Sequence, residues 1–143
     1  VAEKWAKTAV DGPFIGEENF ATLKSLAEAQ KANGKAAEAK ATMDKALTHP
    51  ATGPFDIYQY ARPMIREGHP DEALKIFQTA AKRMPGKWPL DLGIARAYSA
   101  MGDYKTALKY ARTSLTVAPD QPNKDNVTRM IAKLEKGEDM NKQ

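Results

Sequence analysis

Residues 88–121 read WPLDLGIARAYSAMGDYKTALKYARTSLTVAPDQ. Two stretches with helical apolar spacing, carried by Ile94, Tyr98, Leu108, Leu115 and Val117, are split by Met101-Gly102-Asp103 and closed by Ala118-Pro119. Glycine ends the first helix, because a left-handed backbone conformation is cheap only without a Cβ. Proline ends the second, because it cannot continue the hydrogen-bond ladder. The segment therefore predicts a helical hairpin.

The same marks recur upstream. Gly34, Gly68 and Gly102 are spaced by 34 residues. Ala39, Ala73 and Ala107 follow the same step, as do Met43, Phe77 and Ala111, then Ala46, Ala80 and Ser114. The closing prolines are Pro50, Pro85 and Pro119, slipped by one residue in the first. Each mark has a physical role. The small residue early in the second helix lets the pair approach, and the residue four positions later fills the gap. Three units follow, 20–53, 54–87 and 88–121. The second is strongest in DEALKIFQTAAKRMP, and the first is degenerate, with Ala37-Glu38-Ala39-Lys40 where DEAL would stand.

Outside the units, residues 122–136 read as one more helix with an apolar stripe of Val127, Met130, Ile131 and Leu134, stopped at Gly137. It is expected to cap the stack with a polar outer face, and the polar tail after it to fray. At the other end, Val1 to Val10 reads as a helix with Trp5 on its apolar face and Pro13 at the closing position. It looks like the second half of an upstream hairpin; the alternative is a helix that caps the stack at its N-terminal end. The expectation is one repeat domain over residues 1–143, forming the C-terminal fragment of a longer protein.

The glycine period, the GDY at 102–104 and the AP at 118–119 resemble the tetratricopeptide repeat family over about residues 20–136. The resemblance implies an all-α fold, a right-handed α-solenoid of antiparallel helical hairpins. It also implies three units, an N-terminal half-unit and a C-terminal capping helix. A closer likeness is carried by EENFATLKSLAEAQKANGK, IYQYARPMIREGHPDEALKIF, WPLDLGIARAYSAMGDYKTALKYA and LEKGEDMN. These resemble the C-terminal repeat region of exported bacterial proteins whose N-terminal β-rich domain has no known function. That likeness implies a periplasmic or secreted location and brings no catalytic residues.

Composition agrees with a packed helical protein. Apolar residues make up 42% and charged residues 28%, enough apolar material for a core. The formal net charge is +4, but lysines and arginines are interspersed with Glu and Asp along the chain. That dispersion disfavours nucleic acid as a partner. There is no cysteine, so disulfides, thiolate zinc sites and cysteine nucleophiles are excluded. No apolar run reaches membrane-spanning length, so no membrane partner is expected.

Nothing in the sequence points to catalysis, a metal or a cofactor. His49 and His69 each precede a proline at a helix junction, in different phases of the repeat, and read as loop residues. Neither a phosphate-cradling glycine loop nor Gly-x-Ser-x-Gly is present. The reading is a non-catalytic interaction module that takes a peptide or partner domain in its concave groove. The alternative is a structural appendage packed on a neighbouring domain. A weak nucleic-acid binder and an enzyme come behind both.

In stacked hairpins the first helix of each pair lines the concave side. The resemblance puts unit positions 2, 5, 6, 9, 12 and 13 there. The expected partner-binding residues are Lys24, Phe55, Tyr58, Gln59, Arg62, Arg66, Leu92 and Arg96. Arg62 and Arg96 share one unit position, so they should fall on one line of the groove, with Arg66 a turn beyond Arg62. Arginine pairs with carboxylate through two parallel hydrogen bonds, so the expected partner is a protein or an acidic peptide. Pairing of these arginines with Glu28, Asp91 or another internal carboxylate is the competing expectation. Self-association through the N-terminal half-unit is a further expectation. The two-carboxylate clamp by which some tetratricopeptide domains hold chaperone tails is not matched. Lys24 fits its first position, but Glu28, Gln59, Pro89 and Gly93 stand where Asn, Asn, Lys and Arg belong.

Overall fold

A computed structural model of the chain describes residues 18–142. The helix, Trp5 and Pro13 expected at the N-terminus lie outside the described residues. Seven helices and no strand are found among the described residues: α1 (Phe20–Ala32), α2 (Ala36–Thr48), α3 (Pro54–Arg66), α4 (Pro70–Arg83), α5 (Trp88–Ala100), α6 (Tyr104–Val117) and α7 (Gln121–Glu135). The fold is an all-α array of helical hairpins. First helices begin at 20, 54 and 88, and second helices at 36, 70 and 104, so both recur at a step of 34 residues.

The turn after each first helix is built alike. Gly34, Gly68 and Gly102 have φ of 76°, 88° and 85°, the left-handed region that any Cβ disfavours. The residue after each glycine donates its N–H back five residues: Lys35 to Gln30 O, His69 to Met64 O and Asp103 to Tyr98 O, at 2.8–3.0 Å. This satisfies helix-end carbonyls that would otherwise be orphaned.

The described residues divide between Gly53 and Pro54 into two compact units. In the first, α1 packs on α2. Asn19 caps α1 reciprocally with Thr22: the Asn19 side chain accepts from Thr22 N at 3.0 Å, and the Thr22 hydroxyl accepts from Asn19 N at 3.1 Å. Leu23, Leu26, Ala27 and Ala29 are buried on α1, but only Ala39 and Ala46 on α2. Thr52 closes the unit, its buried hydroxyl donating to Ala46 O at 2.6 Å.

The second unit holds α3 to α7, each packed on the next, with α3 also touching α5. Small residues permit this closeness: Ala61, Ala73, Ala95, Ala107 and Ala111 are fully buried. Phe77, also fully buried, fills the space between α4 and α5. Ser114 keeps its polar atom satisfied in the interior by donating to Trp88 O at 3.0 Å. On α7 the stripe of Val127, Met130, Ile131 and Leu134 is buried, as its spacing predicts. Burying a Val, Leu, Ile or Met side chain stabilises by about 1.5–3 kcal/mol, so this stripe favours docking of α7 on α6.

The tail beyond α7 departs from expectation. Gly137 has φ of 71°, and Glu138 N donates to Lys133 O at 2.9 Å, repeating the turn that ends the first helices. The chain then folds back instead of fraying. Met140 is 4% exposed and joins the cluster that includes Leu92, Ala95, Met130 and Leu134. The side chains of Asp139 and Asn141 bond to α5. Local polarity hides this docking, because the partners lie 40 and 45 residues away.

Candidate functional site

The first helices of the second unit, with the tail, enclose a cavity of about 480 Å³. From α3 come Phe55, Tyr58 and Arg62, and from α5 come Trp88, Pro89, Leu92 and Arg96. Asn123, Asn126, Arg129, Met130 and Lys133 come from α7, and Met140, Asn141 and Lys142 from the tail. The repeat explains most of this lining. Phe55, Pro89 and Asn123 are 34 residues apart, as are Tyr58, Leu92 and Asn126, and then Arg62, Arg96 and Met130. Unit positions 2, 5 and 9 of three successive first helices thus form three rows across the cavity.

Five of the expected residues meet here: Phe55, Tyr58, Arg62, Leu92 and Arg96. Gln59 and Arg66 are exposed on α3 but do not line the cavity. Lys24 belongs to the first unit, where its ammonium stands 3.8 Å from Glu28 one turn along α1. The residues of α7 were missed because that helix reads as a cap. A signal was present: adding 34 to positions 55, 58 and 62 once more past α5 gives 123, 126 and 130.

The two arginines of the third row differ in use. Arg62 is exposed, its guanidinium carbon 5.8 Å from the Tyr58 ring centroid, and it forms no ion pair among the described residues. Arg96 is buried. Its Nε donates to the Tyr58 hydroxyl at 2.8 Å, and its Nη1 donates to Asn141 Oδ1 at 3.1 Å. Burial pushes the Arg96 guanidinium below its ordinary pKa; the Tyr58 hydroxyl and Asp139 oppose this, while Arg62 reinforces it. Arginine nevertheless stays charged at any physiological pH. The partners of Arg96 are thus a hydroxyl and an amide, not the carboxylates foreseen as internal partners.

The electrostatic character follows from the lining. Arg62, Arg96, Arg129, Lys133 and Lys142 face the cavity, and no carboxylate among the described residues does. Along the sequence Lys and Arg are interspersed with Asp and Glu, whereas this lining gathers five cations, so folding sorts the dispersed charges. A cleft of one sign focuses potential on an oppositely charged ligand. Beside the cations, Phe55 remains 55% exposed and meets Trp88 edge to face at 5.8 Å. An exposed aromatic at the mouth of a cationic cleft offers apolar contact next to charge pairing.

Residues 64–134 match the family model described as the tetratricopeptide repeat. This segment belongs to the tetratricopeptide repeat family. The match runs from the end of α3 to the end of α7, and so takes in the α5 and α7 walls of the cavity. No curated protein and no solved structure matches the chain. Tetratricopeptide repeats are generally protein–protein interaction modules and are typically non-catalytic. Among the described residues, no group of three or more His, Asp or Glu could hold a metal ion, and no helix is long and apolar enough to cross a membrane. His49 ends α2, with Glu18 3.8 Å from its Nε2, and His69 precedes α4.

Proposed function

We propose that the second unit binds an extended protein segment carrying carboxylates in the cavity between α3, α5 and α7. The observation that carries this reading is the lining: five cations, three asparagines and an exposed aromatic corner, with no carboxylate among the described residues. Guanidinium groups pair with carboxylates in fork geometry, and asparagine side chains can bond the peptide groups of an extended chain. Phe55 and Trp88 supply contact area for an apolar side chain of the same ligand. Arg62 on α3 and Lys133 on α7 offer charge to the acid groups from two different helices, whereas Arg96 is held inside.

Fluorescence anisotropy with a short aspartate-rich peptide tests this at moderate salt. The unaltered chain binds, and Arg62→Glu and Lys133→Glu each weaken binding by about tenfold, the scale of losing one close charge pair in an interface and gaining a repulsive one. Equal affinity for all three proteins would remove this cavity from the account.

A further inference from the structure

Arg96 and Ser99 stand at groove positions that the repeat pattern gives to a partner, yet the chain's own tail occupies both. The Ser99 hydroxyl donates to Asp139 Oδ1 at 2.7 Å and accepts from Met140 N at 2.9 Å. Arg96 donates to the Asn141 side-chain oxygen, and the Asn141 side-chain nitrogen donates back to the Arg96 carbonyl at 2.9 Å. Within the tail, Asp139 Oδ1 also accepts from Asn141 N at 3.0 Å and from Asn141 Nδ2 at 2.8 Å. Between these polar residues Met140 is buried in the core. A plug that leaves when a ligand arrives would be held by its rim; this segment is held by a core side chain and by bonds on both flanks.

We propose that residues 138–142 are a fixed wall of the groove, which turns Arg96 into a structural residue and gives its place as a ligand-facing cation to Lys142. Lys142 lines the cavity from the wall, and its carbonyl accepts a hydrogen bond from the Lys133 ammonium on α7. The acidic segment is then read by Arg62, Arg129, Lys133 and Lys142, and its path ends against Asn141. This assignment of contacts rests on the function proposed above; the wall itself does not.

Two readouts on the full chain separate the claims. Phenylglyoxal labelling followed by mass spectrometry reports arginine access without any ligand. Exposed Arg62 and Arg129 should react at least about tenfold faster than Arg96, whose charged hydrogen bonds must break first. Asn141→Ala should speed the labelling of Arg96 while circular dichroism keeps its helical amplitude. Labelling of Arg96 as fast as Arg62 in the unaltered chain would overturn the wall, whatever a peptide does. For the ligand-facing role, a fluorescein-labelled peptide of aspartates around one phenylalanine should bind Lys142→Glu several-fold more weakly than the unaltered chain. Equal binding would overturn the hand-over to Lys142. A peptide that binds neither protein, with Arg96 still protected, would overturn the acidic-ligand reading and the role of Lys142 together, and leave the wall standing.

Discussion

Gly93 on α5 lies directly beneath the ring of Phe77 on α4: a Cβ added at Gly93 would stand 2.4 Å from Phe77 Cε1. Phe77 is fully buried, so its ring has nowhere to go. The repeat pattern puts position 93 on the groove side, yet the residue faces the neighbouring hairpin and does not line the cavity. Gly93→Ala therefore overpacks this interface and destabilises by about 1–3 kcal/mol. Urea denaturation checks it, with a lower midpoint and an unchanged slope expected.

Met140 gives a second test, specific to the tail. It is 4% exposed within the α5–α7 core cluster. Met140→Ala should cost about 2–5 kcal/mol, the range for emptying a buried Met site. A frayed tail would make the same substitution silent. Thermal melts of the two proteins at one concentration decide between these outcomes.

Asp103 makes stability depend on acid. Its carboxylate caps α6, accepting from Thr106 N at 3.1 Å, and hydrogen bonds from the Thr106 side chain and backbone hold its pKa below the ordinary 3.8. A carboxyl depressed in the folded state contributes stability that is fully present above the unfolded value of 3.8 and is lost as pH falls through the folded value. Asp103→Asn keeps an acceptor at the cap but removes this titration. Melting temperatures from about pH 6 to about pH 2 should fall less steeply for Asp103→Asn than for the unaltered chain.

Binding of an acidic segment should weaken with salt. The cations that line the cavity stand at an open cleft, where ionic screening acts over about 10 Å at 0.1 M. Isothermal titration at low and at moderate ionic strength should show the affinity for an aspartate-rich peptide falling several-fold. Affinity that stays constant would mean that apolar contact at Phe55 and Trp88, not charge, supplies the attraction.

Much of this architecture was legible because each repeat mark fixes one backbone event. Glycine at 34, 68 and 102 requires left-handed turns, and those turns place the helix starts at a constant step. Rows drawn through equivalent positions then brought Phe55, Tyr58, Arg62, Leu92 and Arg96 to one cavity. The role of α7 was hidden by its own stripe. Val127, Ile131 and Leu134 bury the helix equally well as a cap or as a further first helix, so the stripe alone does not say where Asn123, Asn126 and Lys133 point. The tail was illegible for another reason: Asp139 and Asn141 look solvated until α5 supplies their partners. That same docking withdraws Arg96 from the surface, which no pattern of spacing could show.

The proposed function requires that acidic segments enter the cleft between α3, α5 and α7. Backbone amide NMR of the labelled chain, titrated with an aspartate-rich peptide, tests it most directly. Saturable shifts should concentrate at Phe55, Tyr58, Arg62, Asn126 and Lys133, with α4 and the outer side of α6 silent. Shifts confined to α4 and α6, or no shift at saturating peptide, would contradict it.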